Sequence, residues 1–297
     1  MSRRGRARID TGADAAASIQ TLAVLLQAGA VPLTAWRQLA DTGDAHAAAV
    51  VERVDAGVGL TAAIEKEGGA WLDLAAAWEI ATTVGAPLAD VLRMIAETLR
   101  DAASAADDVR IALAEPAGTA RLLLLMPFAG LLLGFALGFD TVSVIVGNPI
   151  GAFCVGLGLL LMLAARLWTA RLLARARPAP GTPGMQAELL AVALSGGASV
   201  ERALQLVADS TATGHDGRAH IDTVLALSRA AGVPAGELLR ASAAQERHAA
   251  RIEGRIRAAS LSTRLLIPLG VCTLPAFMLL GVAPLLLSVL TTTSLSL

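Results

Sequence analysis

Three stretches of the chain carry no charged residue, and they set the frame for the rest. Leu122 to Phe139 gives 18 residues between Arg121 and Asp140, Thr141 to Ala165 gives 25 before Arg166, and Leu265 to Leu297 gives 33. About 20 residues at about 1.5 Å each cross a hydrocarbon layer of roughly 30 Å. The pattern therefore predicts three transmembrane helices, the last followed by a polar Thr/Ser tail. Only a few residues, Asp140 to Pro149, join the first two, which read as a hairpin. Elsewhere the apolar positions follow the helical period: Leu88, Val91 or Leu92, Ile95, Leu99, Ala102, Ala106 and Val109 fall on one face. No strand-like alternation persists, so the expected fold class is all-α.

Arginine placement gives an orientation. Arg121 precedes the first span, Arg166, Arg171, Arg175 and Arg177 follow the second, and Arg251, Arg255, Arg257 and Arg264 precede the third. The hairpin tip and the C-terminal tail carry neither Arg nor Lys. By the positive-inside rule the N-terminus and both long hydrophilic segments are expected in the cytoplasm, with the C-terminus external. The expected organisation is a basic tail over 1–17, a helical bundle over 18–120 and a two-span hairpin over 121–168. An Arg/Pro/Gly linker over 169–184, a second bundle over 185–264, a third span over 265–290 and an external tail over 291–297 complete it. Met1 to Asp10 is basic but no apolar core follows it, so no cleavable signal peptide is expected.

The two hydrophilic segments repeat each other. At an offset of 168, Leu26 to Ala30 lies over Leu194 to Ala198, and Ala35, Ala40 and Asp41 fall on Ala203, Ala208 and Asp209. At an offset of 147, Gly85-Ala86-Pro87-Leu88 lies over Gly232-Val233-Pro234-Ala235, and Leu92-Arg93 over Leu239-Arg240. The second copy is thus about 21 residues shorter between these anchors. Gly29, Gly197, Gly85 and Gly232 suit the left-handed position that ends a helix, and Pro87 and Pro234 suit the start of the next. From these prolines long helices are expected to run towards the membrane, the first with an interruption at Glu115-Pro116. Pro127 and Pro268 occupy similar places in two spans, and Gly130, Gly134 and Gly138 form a small-residue ridge for close helix packing.

Composition narrows the chemistry. The chain has 297 residues, 55% hydrophobic and 16% charged, with a mean hydropathy of +0.62, which is the balance of a membrane protein. The formal charge of -1 offers nothing to nucleic acid. Residues 1–120 hold 10 basic and 16 acidic side chains and residues 166–264 hold 13 and 8, so the two halves differ in sign and could dock on one another. The single lysine, Lys66, precedes Glu67 and cannot serve a phosphate-binding P-loop. Cys154 and Cys272 lie in apolar runs as small hydrophobes, and Asp107-Asp108 and Glu65 with Glu67 read as solvated helix faces. No metal-spaced His/Cys cluster and no nucleophile or dinucleotide motif is present. No enzyme activity, cofactor or metal is expected. The spans, free of ionisable groups, argue against an ion-coupled transporter.

Two helical segments, each leading into a span with a hairpin between, resemble the F family of type II secretion and type IV pilus platform proteins. Trp71 to Arg100 (WLDLAAAWEIATTVGAPLADVLRMIAETLR), Ala114 to Pro127 and Arg264 to Leu287 are similar to the tight-adherence (Tad/Flp pilus) B and C platform proteins of high-GC Gram-positive bacteria. The resemblance implies a non-enzymatic scaffold in the cell membrane. It would couple a cytoplasmic secretion ATPase to pilin or pseudopilin subunits drawn from the bilayer, as a homo-oligomer or with a paralogous platform protein. The residues it marks as structural couplers are Gly29, Gly85, Pro87, Leu88 and Arg93, then Gly197, Gly232, Pro234 and Arg240, with Pro127 and Pro268 at the spans. The competing expectation is a membrane-anchored signalling or adaptor scaffold unrelated to pilus assembly. A small permease would need polar spans, which the sequence lacks.

Overall fold

The computed structural model describes residues 12–136, 149–176, 181–210 and 218–283, and every regular element among them is helical. Before the first long helix come α1 (Gly12–Gln27), α2 (Pro32–Asp41), α3 (Ala45–Asp55), α4 (Leu60–Glu65) and α5 (Ala70–Val84). The remainder are α6 (Leu88–Ala136), α7 (Pro149–Ala176), α8 (Met185–Ser195), α9 (Val200–Asp209), α10 (Arg218–Ala231) and α11 (Ala235–Pro268). Beyond α11 lie a π-helical turn (Leu269–Thr273), α12 (Leu274–Phe277) and a second π-helical turn (Met278–Val282). The chain divides into two compact units, one of Met1–Asp107 with Ala179–Ile252, the other of Asp108–Pro178 with Glu253–Leu297. The division falls inside α6 and α11.

Local chemistry explains the helix ends of the first unit. Asp44 caps α3 by accepting from the Ala47 N–H at 2.8 Å, and Ser199 caps α9 by accepting from Arg202. Alpha1 stops at Gly29, whose φ of 91° lets the Ala30 N–H reach back to the Leu25 carbonyl. Gly197, with φ of 89°, closes α8 in the same way through the bond from Ala198 to the Ala193 carbonyl.

One hydrophobic core serves the whole of this unit. On α5, Trp71, Leu74, Ala75, Ala76, Ala77, Trp78, Ile80 and Ala81 are all buried, and on α8 so are Met185, Ala187, Leu189, Leu190, Ala191, Val192 and Ala193. A helix buried over most of its circumference needs several neighbours, and α5 has them in α4, α8 and α1. The sequence predicts a bundle over 18–120 and another over 185–264, and the buried residues of α5 and α8 belong to one core that draws on both stretches.

Other expectations change for local reasons. Gly12 is already helical, inside the stretch read as tail, and Ala13, Ala15, Ala16 and Ala17, all strong helix formers, support helix there. Alpha7 runs to Ala176, so the first half of the stretch read as linker is helical, as its Leu, Ala and Arg content favours. Alpha6 passes through Glu115-Pro116 without a break. On that helix Val91, Leu92, Ile95, Leu99 and Val109 are buried as expected, whereas Ala106 is exposed.

In the second unit α7 lies antiparallel to the final apolar segment. Met162 clusters with Ala276 and Leu280, and Leu172 and Leu173 pack on Leu261 and Leu265. A Cβ on Gly158 would stand 2.6 Å from Leu280 Cγ, so backbone and side chain approach closely there. Gly156 has open space instead. Two helices among the described residues are long and apolar enough to cross a membrane by length and composition, Ala152–Ala174 and Ala235–Leu280. The first of these extends beyond Ala165 to include Arg166 and Arg171, both exposed. The expected span over 122–139 continues α6 as far as Ala136, and its last residues, the hairpin tip and 284–297 lie outside the described residues.

Candidate functional site

The sequence candidates gather at the turns that launch α6 and α11. After α5, Gly85 takes φ of 74° and the Ala86 N–H returns to the Ala81 carbonyl. Pro87 then stands immediately before α6, its carbonyl accepting from the Asp90 and Val91 N–H groups at 3.1 Å each. Proline suits this place because its missing N–H is not needed where a helix starts. Leu88 packs on the core. After α10, Gly232 takes φ of 65°, and the Pro234 carbonyl accepts from Leu238.

Each launched helix carries an arginine paired with an acid three residues earlier. Arg93 donates to Asp90 at 3.1 Å and to Gln27 at 2.6 Å, which ties α6 to the end of α1 close to Gly29. Arg240 donates to Glu237 at 2.7 Å. Asp90 and Glu237 are separated by the same 147 residues as the arginines they serve. The structure also brings the Gly85 and Gly197 turns together. A Cβ on Gly196 would meet Val84 Cγ2 at 2.2 Å and the Val84 carbonyl oxygen at 2.9 Å, so the ends of α5 and α8 touch backbone to backbone.

Pro127, Gly130 and Gly134 lie within α6, and Gly138 lies outside the described residues, as does the packing of that ridge. Pro268 is buried at the last position of α11, where a π-helical turn follows. Proline removes the donor for the carbonyl four residues back, and a widened turn is a usual accommodation.

Several charged groups do more than the sequence suggested. Glu188 on α8 is buried, and Arg247 on α11 donates to one of its carboxylate oxygens at 3.0 Å. Burial pushes its carboxyl above the ordinary 4.5, opposed by the hydrogen bond and charge of Arg247. Arg247 also stands 3.9 Å from Asp101 on α6, and Arg251 donates to the Asp101 carbonyl. Within the second unit Arg255 pairs with Asp108 at 2.8 Å. Two ion pairs thus join α6 and α11, and Asp108 is partly exposed as well as paired.

Glu67 is not solvated. Its side chain is 9% exposed and is held between Arg53 and His46, while His46 lies against Trp71 with ring centres 5.2 Å apart. Arg53 also donates to the Ala63 carbonyl, so the network fastens α3 to α4. Trp71 in turn packs on Trp36, which packs on Trp78. Asp73, fully buried on α5, accepts from Thr182 at 2.6 Å and joins the two halves of the unit. Sequence signals for these groups did exist: Glu188 is the one acid of an apolar helical run, Asp73 is flanked by leucines, and Trp71 and Trp78 are two turns apart on one face.

Among the described residues no group of three or more His, Cys, Asp or Glu side chains is gathered as metal ligands would be. Cys272 is buried and Cys154 half-buried, both as free thiols. No curated protein matches the chain. Residues 18–136, from within α1 to the end of α6, match the family model of type II secretion system (T2SS), protein F, so this stretch of the chain carries a domain of that kind.

Proposed function

We propose that the protein is a non-enzymatic membrane platform of a type II secretion or type IV pilus machine, of the tight-adherence kind. In this reading it couples a cytoplasmic secretion ATPase to the extraction and assembly of pilin or pseudopilin subunits. The observation that carries it is the F-type domain over 18–136, whose last element is one helix of 49 residues running from the buried core into an apolar stretch. A helix of that length, about 70 Å at about 1.5 Å per residue, transmits a push at one end to the other.

The same reading takes 185–264 as a second, shorter copy of the domain. In its support, α10 ends and α11 begins 147 residues after α5 ends and α6 begins, and α9 has the bounds of α2 moved by 168. Alpha3 and α4 have no counterpart in this scheme, which accounts for the difference in length. Gly29, Gly85, Pro87, Leu88 and Arg93, with Gly197, Gly232, Pro234 and Arg240, are then the joints through which motion enters α6 and α11. Pro127 and Pro268 adjust the helices where they enter the bilayer. Both hydrophilic segments are cytoplasmic, the C-terminus is external, and a paralogous platform protein is a partner.

Deletion of the gene in a cell that builds such pili tests the reading: loss of surface pili, restored by the wild-type gene, is the expected result. Normal pili would overturn it. Co-purification with the secretion ATPase, repeated with Arg93→Glu and Arg240→Glu, reads the coupling residues, and loss of the complex in either variant is expected.

A further inference from the structure

The antiparallel pairing in the second unit sets three arginines at neighbouring levels along two helices that carry no acid there. Leu172 and Leu173 of α7 touch Leu261 and Leu265 of α11, so Arg171 and Arg264, each next to one of these leucines, share a tier. Arg166 lies five residues earlier on α7, about 7 Å along the helix. All three side chains are exposed. Alpha7 contains no Asp or Glu, and α11 contains none after Glu253, which is engaged by Arg257 at 2.8 Å.

Between Arg166 and Arg171 stands Trp168, 42% exposed, and the exposed apolar side chains Leu160, Leu163 and Leu167 precede it on the same helix. An indole with one apolar and one polar edge belongs at the boundary between hydrocarbon and headgroups. Long arginine side chains beside it extend towards the phosphates of the same layer.

We propose that Arg171 and Arg264, with Arg166 and Trp168 next to them, bind the headgroup phosphate of an anionic phospholipid, whose acyl chains lie along Leu160, Leu163 and Leu167. Free phosphate would gain nothing from the apolar strip, and a zwitterionic headgroup cancels its own phosphate charge with its ammonium. The anionic lipid alone matches both the cation tier and the leucines. The inference rests on the reading of α7 and α11 as membrane helices.

The test uses the full chain reconstituted into vesicles of phosphatidylcholine alone or of phosphatidylcholine and phosphatidylglycerol in equal parts. The phospholipids retained on the protein after detergent extraction are then counted by mass spectrometry. The wild type is expected to retain phosphatidylglycerol in preference, with retention falling about five-fold for each arginine removed in Arg171→Gln and Arg264→Gln. The double variant to Lys is expected to keep the preference, as is a control with Arg202→Gln and Arg229→Gln on α9 and α10. Equal retention by the wild type and the Gln double variant overturns the proposal, as does equal loss in the control. Failure of the wild type to float with either vesicle would overturn the membrane reading itself, whereas flotation without lipid preference overturns only this proposal.

Discussion

Glu188 and Arg247 form a part-buried ion pair at 3.0 Å, and the second carboxylate oxygen of Glu188 makes no hydrogen bond. The pair bridges α8 and α11 while Arg247 leans towards Asp101 on α6, so three helices depend on one guanidinium. Removing one partner of a buried pair leaves the other charge uncompensated, at about 3–5 kcal/mol. Arg247→Ala is expected to destabilise the protein by less than that, because Arg247 keeps some exposure and Glu188 can take up a proton, in chemical denaturation followed by circular dichroism. Glu188→Gln keeps the shape and removes the charge, and is expected to be the milder change.

The same carboxyl gives a pH dependence whose sign is fixed by its surroundings. Its folded pKa lies above 4.5 because burial opposes ionisation more than Arg247 favours it. The folded state therefore binds a proton more readily than the unfolded one, and stability from this group is fully present below about 4.5. It is lost as pH rises through the raised folded value. The difference in melting temperature between wild type and Glu188→Gln is expected to move against the wild type as pH climbs from 4.5, then level off. A difference that grows in favour of the wild type over that interval would contradict the assignment.

Gly196 and Gly29 are glycines for different reasons, and substitution separates them. Gly196 has an ordinary φ of -78°, but a Cβ there would strike Val84 at 2.2 Å. Gly196→Ala is expected to cost about 1–3 kcal/mol as overpacking, partly recovered by Val84→Ala. Gly29 has open space around it and φ of 91°. Gly29→Ala is expected to cost about 1–2 kcal/mol as backbone strain, with no recovery from any neighbour. Denaturation midpoints of the single and double variants measure both.

Glu67 holds Arg53 and His46 in one network between α3 and α4. Glu67→Ala is expected to destabilise by about 1.5–3 kcal/mol, the range for hydrogen bonds to a charged group. Amide hydrogen exchange is expected to rise in α3 and α4 before it rises in α5.

Gly158 and Leu280 meet across α7 and the second π-helical turn. In a chain carrying Cys154→Ser and Cys272→Ser, cysteines placed at both positions are expected to form a disulfide on mild oxidation, since their Cβ atoms fall within bonding reach. Pairs moved by two residues on α7 would turn to the other face and are expected to remain reduced. Equal cross-linking of both pairs would reject this register.

Much of the architecture was legible because it depends on local backbone needs. Gly29, Gly85, Gly197 and Gly232 all have positive φ, a state few other residues accept, and each marks a helix end that spacing alone revealed. The long helix from Leu88 was legible from its apolar period. Pro116 misled, because proline weakens a helix without always ending it when good helix formers continue on both sides. The common core of α5 and α8 was not legible, since an apolar run does not say which other run will cover it. Glu67 was misread for a related reason: its partners, Arg53 and His46, come from another helix.

The shared interior of the first unit also constrains how such a gene can be divided. A polypeptide ending before residue 179 would leave the alanine face of α5 wetted, and one starting there would leave α8 bare. Neither fragment has a complete interior, so the halves act as complementing pieces that must be made together, and splitting the coding sequence between them is tolerated only if both products meet before either aggregates.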